Sequence, residues 1–68
     1  MQELSEYFGS EEYSDRTAKV LWDDKKKMYY VDMQMDGRYE LRGMTIHSER
    51  YVEDCAENFV MGYGDFDI

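Results

Sequence analysis

The chain has 68 residues, a formal net charge of −8 and one cysteine. This length allows a single domain, and one cysteine excludes an internal disulfide. Seven Tyr, three Phe and one Trp provide too much apolar bulk for a disordered chain, despite the acidic charge. Since no apolar run is long enough for a signal peptide or a membrane span, we expect a folded cytoplasmic domain without membrane contact.

The charge is unevenly distributed along the chain. Residues 1–15 carry −5, residues 16–42 carry +2 and residues 43–68 carry −5. Two acidic segments therefore flank a mildly basic middle segment. This asymmetry is the feature of the composition with the most direct bearing on partners.

Residues 1–16 leave two alternatives open. Leu4, Tyr7 and Phe8 have helical spacing, which predicts a short N-terminal helix ending at Gly9. The other alternative is a flexible acidic arm, because isolated helices of this length are marginal in water.

Three later segments alternate apolar and polar side chains, which is typical of strands. They cover about residues 17–23, 28–34 and 38–44. In the first hairpin, Asp23 opposite Met28 is the register that keeps the apolar residues on one face. We therefore expect a three-stranded antiparallel meander.

The second hairpin turns at the Asp-Gly pair of residues 36–37. A two-residue turn there would place Met33 opposite Glu40 and mix polar and apolar side chains on both faces. A three-residue loop over residues 35–37, with its glycine in the left-handed position of a bulge, places Met33 opposite Tyr39 instead. We therefore predict the three-residue loop.

Residues 49–61 form the only long segment with a clean helical period. Ser48 is suited to capping its start, and Gly62 is suited to ending it in the left-handed conformation. Cys55 lies on the apolar stripe, which favours a buried small hydrophobe over a nucleophile. The stripe as a whole consists of Tyr51, Val52, Cys55, Ala56, Phe59 and Val60.

Packing this helix on the sheet gives an α+β fold of two layers. The tail, residues 63–68, either folds over the uncovered face of the sheet or stays mobile. The predicted core beneath the helix comprises Ala18, Val20, Trp22, Tyr29, Val31, Met33, Tyr39 and Leu41.

The uncovered face of the sheet is the first candidate for an interaction surface. In the predicted register it displays Leu21, Tyr30, Arg38 and Arg42. A surface without a binding role does not need such a mixture of exposed aromatic, aliphatic and cationic side chains.

The polar face of the helix, with Glu53, Asp54 and Glu57, is the second candidate. Paired carboxylates can bind a cation or act as acid and base, but an exposed acidic face explains them without a pocket. His47 is the only histidine, and with one cysteine it cannot form an ordinary zinc site; we place it on the surface beside the helix cap. Because the chain also lacks the glycine-loop and nucleophile-elbow motifs, we expect no enzyme, no metal and no cofactor.

The run Tyr51-Val-Glu-Asp-Cys-Ala-Glu-Asn-Phe-Val60 resembles small uncharacterised proteins encoded by marine cyanophages. In these proteins a Tyr/Trp-Ala-Glu-Asp-x-Ala-Glu-Asn-Trp/Phe-Val helix follows short strands with a step like Val31-Asp32-Met33. The resemblance covers residues 28–62 and departs at Val52, where alanine is commoner. It implies a phage accessory protein in the cytoplasm of a cyanobacterial host, and it nominates no catalytic residue.

These features favour a non-enzymatic module that binds a host or phage protein. A homodimer through the uncovered sheet face is a further expectation, because one helix covers only one side of the sheet. The alternatives are nucleic-acid binding through that face, as in three-stranded DNA-binding domains, and a DNA-mimicking inhibitor that uses the −8 charge. An acidic final helix argues against the binding mode of double-stranded RNA-binding domains, which meets phosphates with lysines.

Overall fold

The computed structural model describes residues 1–45 and 48–66, which form an α+β fold. One helix covers one side of a four-stranded antiparallel sheet with strand order β1-β2-β3-β4. His47 and its predicted place beside the helix cap lie outside the described residues, as do the last two residues of the tail. The elements are β1 (Gln2–Phe8), a 3₁₀ turn (Glu11–Tyr13), β2 (Arg16–Asp23), β3 (Met28–Met35), β4 (Arg38–Met44) and α1 (Glu49–Val60).

The prediction of a three-stranded sheet is wrong, because the N-terminal segment is neither a helix nor a flexible arm but the edge strand β1. A bulge between Glu3 and Ser5 shifts its register on β2. This extra residue brings Leu4 and Tyr7 to the same side of the strand, where both pack against the core. A bulged strand thus shows the spacing of three residues that is typical of a helix.

The predicted register of the first hairpin is confirmed. Asp23 pairs with Met28, and the rings of Trp22 and Tyr29 lie 4.7 Å apart across the two strands. The Asp23 carboxylate accepts the backbone N–H groups of two loop residues, at 3.0 and 3.3 Å, which holds the lysine-rich turn in place.

The predicted three-residue loop of the second hairpin is wrong. Asp36 and Gly37 form a two-residue turn with φ angles of 51° and 77°, and Met33 pairs with Glu40. The rejected register is acceptable because α1 packs over β1, β2 and β3. Polar residues of β4 therefore lie at the margin of the helix side, beyond the core.

This register changes the membership of the core. Ala18, Val20, Val31 and Met33 are fully buried, as predicted. Trp22 and Tyr29 are half-buried, whereas Tyr39 and Leu41 are exposed on the opposite side of the sheet. The other buried apolar residues are Met35, Met44, Val52, Ala56, Phe59 and Val60.

The predicted helix is confirmed to within one residue at its end. The Ser48 hydroxyl accepts the N–H of Tyr51 at 3.2 Å. At the other end Gly62 has φ +85°, its N–H donates to the Phe59 carbonyl, and the next N–H donates to the carbonyl of Asn58. This pattern is the Schellman motif, which stops the helix and turns the tail back.

Arg16 joins the start of β2 to the end of α1 and to the tail. Its guanidinium donates to the carbonyls of Phe59 at 2.9 Å and Gly64 at 2.6 Å, and to the Asp65 carboxylate at 2.8 Å. It lies about 5 Å from the ring centroids of Tyr13 and Phe59. The arginine is buried, so these partners replace the water that it loses.

The described part of the tail folds over the helix side, not over the opposite face. The ring of Phe66 stacks on Phe59 with centroids 5.7 Å apart, and the Arg38 guanidinium lies 5.4 Å from the Phe66 centroid. The opposite face of the sheet therefore receives no cover from residues 63–66.

We expect Arg16→Lys to lower the free energy of unfolding by about 2 kcal/mol, because a lysine cannot supply forked donors to two carbonyls and a carboxylate at once. Asp65→Asn should cost less than about 1 kcal/mol, since the Asp65 side chain is 66% exposed. Urea unfolding followed by circular dichroism measures both, with Arg50→Lys on the exposed helix surface as the control. An unchanged stability of the Arg16 variant would contradict this role.

Candidate functional site

The helix leaves the opposite side of the sheet uncovered, and we call that side the open face. Strand alternation and cross-strand register assign residues to it. They are Glu3, Glu6 and Phe8 from β1, Thr17, Lys19, Leu21 and Asp23 from β2, Met28, Tyr30, Asp32 and Gln34 from β3, and Tyr39, Leu41 and Gly43 from β4.

The structure divides the predicted interaction face into two pairs. Leu21 and Tyr30 are cross-strand partners on the open face, as expected. Arg38 and Arg42 lie opposite buried residues of β3, so both point to the helix side. The two-residue turn is the cause, because a shift of one residue moves every side chain of β4 to the other side.

Both arginines make contacts on the helix side. Arg42 donates to the Glu40 carboxylate at 2.6 Å within the same strand. Arg38 lies over the ring of Phe66. The predicted cationic part of the interaction face is thus a feature of the β4 margin beside the helix layer.

Three large apolar side chains are exposed on the open face. Phe8 is 68% exposed, Tyr39 60% and Leu41 37%. Reasoning from the sequence missed all three, because it placed Phe8 in a helix or an arm and the other two in the core. The Asp-Gly pair was the signal that could have found Tyr39 and Leu41, since it strongly favours a two-residue turn.

Gly43 explains the position of the Tyr30 ring on the neighbouring strand. A Cβ at this position would lie 2.6 Å from Met28 Cε and 3.2 Å from Tyr30 Cε2. The side chains of Met28 and Tyr30 therefore lie across the glycine, which buries half of Tyr30 and stabilises the edge strand. Tyr30 therefore has a structural role in the sheet, because it covers Gly43.

Carboxylates predominate among the charges of the open face. Lys19 lies opposite Glu6 in β1 and Asp32 in β3, and its ammonium is 3.6 Å from the Glu3 carboxylate. Three acids thus surround one base. The open face has an excess of negative charge, although it was expected to belong to the basic segment.

Asp32 is held in an unfavourable environment on the open face. Its Oδ1 atom is buried and has no hydrogen-bond partner. Burial raises the pKa of the Asp32 carboxyl, and the nearby charge of Lys19 lowers it in part. The side chain therefore costs stability when it is ionised.

The three carboxylates of the acidic helix face differ in exposure. Asp54 and Glu57 are exposed and Glu53 is half-buried. Within residues 1–45 and 48–66, no group of three or more His, Cys, Asp or Glu side chains is arranged to hold a metal ion. These residues form a charged surface on α1.

Cys55 is a free, half-buried thiol that packs against the core. Burial raises its pKa, a hydrogen bond with Tyr51 lowers it, and the charge of Asp54 raises it further. The net direction is upward, which disfavours the thiolate that a nucleophile requires.

Two open clefts are also present, and the smaller of them is lined in part by Phe8 of the open face. The larger, about 470 Å³, is lined by Met1, Gln2, Trp22, Asp23, Asp24 and Lys25. Its two aspartates already bind the lysine-rich turn, through backbone N–H groups and the Lys27 ammonium. The smaller, about 230 Å³, lies between the 3₁₀ turn and the end of α1.

Comparison with protein-family models, with curated proteins and with solved structures found no match. Among the described residues, no helix has the length and apolar character needed to cross a membrane. The assignment of function therefore depends on the surfaces described above.

We expect Asp32→Asn to raise the free energy of unfolding at neutral pH by about 1 kcal/mol. Because the folded state raises this pKa above its usual value of 3.8, the contribution of Asp32 to wild-type stability falls as the pH rises through the interval between the two values. The advantage of the variant should vanish below the usual value. Urea unfolding across pH measures it, with the exposed Asp54→Asn as the control, and a less stable variant at neutral pH would contradict the assignment.

Proposed function

We propose that this protein is a non-enzymatic interaction module that binds another protein through its open face. The exposure of Phe8, Tyr39 and Leu41 on a surface that neither the helix nor residues 63–66 cover carries the proposal. Exposed aromatic and aliphatic side chains on one surface are typical of binding sites.

The charges of the open face indicate the chemistry of the partner. Glu3, Glu6 and Asp32 outnumber Lys19, so the complementary surface is apolar with lysine or arginine at its rim. A face-to-face homodimer would instead bring two sets of carboxylates together. A different protein is therefore the better occupant of this surface.

The same charges count against nucleic-acid binding through the open face. Phosphate contacts need cations, and Arg38 and Arg42 lie on the helix side. Lys19 is the only base on the open face as defined above, and it pairs with Glu3. Loss of salt-dependent DNA binding on Arg38→Ala and Arg42→Ala would revive this alternative on the helix side.

A DNA mimic remains the second candidate, favoured by the net charge of −8 and by the exposure of Asp54 and Glu57. It predicts competition with duplex DNA for a basic protein. Replacing Glu53, Asp54 and Glu57 by Gln would abolish that competition.

The setting that we propose follows from the resemblance of residues 28–62 to cyanophage proteins. A phage accessory protein would meet its partner, of host or phage origin, in the cytoplasm of a cyanobacterium. The presence of a single cysteine, Cys55, is consistent with a reducing compartment.

Photo-crosslinking tests the proposal. We expect a photoreactive phenylalanine at Tyr39 to yield a discrete protein adduct in a cyanobacterial lysate, weakened by high salt and by Leu41→Lys. The same group at Tyr63, at the end of the helix, is the control, because Tyr63 is more exposed at 72%. If the yield depended on accessibility alone, the position of Tyr63 would give the stronger adduct.

Equal adducts at the two positions would contradict a binding role for the open face. A nucleic-acid adduct at Tyr39 would show that the open face binds nucleic acid and not a protein. An adduct that survives Leu41→Lys would show that the contact lies elsewhere on the chain.

A further inference from the structure

The sheet ends at two edge strands, and they are protected to different degrees. A bulge interrupts β1, which also carries Glu3 and Glu6. The register of β4 on β3 runs without interruption from Arg38 to Met44, and the chain contains no proline. β4 is therefore the edge better suited to pair with another strand.

The two-residue turn determines which backbone groups β4 presents outward. In such a turn the flanking residues, Met35 and Arg38, form a hydrogen-bonded pair, and bonded and non-bonded pairs then alternate along the ladder. Tyr39, Leu41 and Gly43 accordingly direct their N–H and C=O groups away from β3. The edge offers three residues for a new ladder.

We propose that β4 pairs with β4 of a second copy of this chain, antiparallel and centred on Leu41. In this register Leu41 faces its own counterpart and Tyr39 faces Gly43. Arg42 lies opposite Glu40 at two symmetric positions. The sequence of the strand is thus complementary to itself under a two-fold axis.

The charges select this register over its neighbours. Centring the pair on Glu40 would oppose two glutamates and set Arg38 against Arg42, while centring it on Arg42 would oppose two arginines. Like charges directly opposite each other destabilise a ladder, whereas opposite charges stabilise it. Arg42 and Glu40 already lie 2.6 Å apart within one copy, at the margin of the helix side. Pairing would extend this contact into a network of four charges.

The open face fits the same register. Tyr39 of one copy would lie opposite Gly43 of the other, beside the Tyr30 ring and the Met28 side chain that lie across this glycine. The pair would form one eight-stranded sheet with both helices on one side. Leu41 and Tyr39 of both copies would then form a continuous apolar patch on the other side. This dimer does not depend on the proposed partner of the open face.

Charge exchange at the edge tests the proposal. Sedimentation equilibrium to millimolar concentration should show a wild-type dimer. Glu40→Arg alone and Arg42→Glu alone should each weaken it by about tenfold or more, because each opposes like charges at both positions. An equimolar mixture of the two variants should form a heterodimer, and the double variant should recover the homodimer.

Glu57→Arg and Arg50→Glu are the matched controls, since they make the same changes of charge on the exposed helix surface. Circular dichroism checks that each variant folds. A wild-type chain that remains monomeric overturns the proposal. It is also overturned if both single variants dimerise as the wild type does, or if the mixture remains monomeric although both variants fold. Because Tyr39 and Leu41 lie beside this edge, a Tyr39 adduct with the mass of two copies of the chain reports the β4 dimer, and only an adduct with a different protein reports the proposed partner of the open face.

Discussion

The Arg16 guanidinium connects the start of β2 with the end of α1 and with the tail. It supplies a further donor to the Phe59 carbonyl, which also accepts the Gly62 N–H, and a donor to the Gly64 carbonyl in the tail. Its positive charge lies at the negative end of the α1 dipole, and the rings of Tyr13 and Phe59 cover it. In a domain with so small a core, this contact fixes the end of the helix and the returning tail against the start of β2.

The position of α1 decides the character of both sides of the sheet. The helix lies over β1, β2 and β3, so the helix side of β4 is a margin where Glu40 and Arg42 pair with each other. The apolar residues of β4, Tyr39 and Leu41, face the other way and are exposed. One packing choice thus leaves exposed apolar side chains on the open face, which we propose as a partner site, and a self-complementary edge, which we propose as a dimer contact.

Local patterns identified several elements correctly. The helix, its Ser48 cap and its end at Gly62 follow from hydrogen bonds and backbone angles within a few residues. The first hairpin register follows from alternation on both of its strands. The Asp36-Gly37 pair also indicated the two-residue turn that forms. The prediction was wrong there because it gave more weight to the expected core than to this local pattern.

The sequence by itself therefore determined the α+β class, the helix and the pairing of β2 with β3, since each depends on contacts between neighbours along the chain. Only the tertiary structure decided that residues 2–8 are a strand, because a bulge gave Leu4 and Tyr7 the spacing of a helix. It also decided which side Arg38, Tyr39 and Leu41 face. Whether a side chain of β4 enters the core depends on how far the helix reaches across the sheet, and no local pattern records that distance.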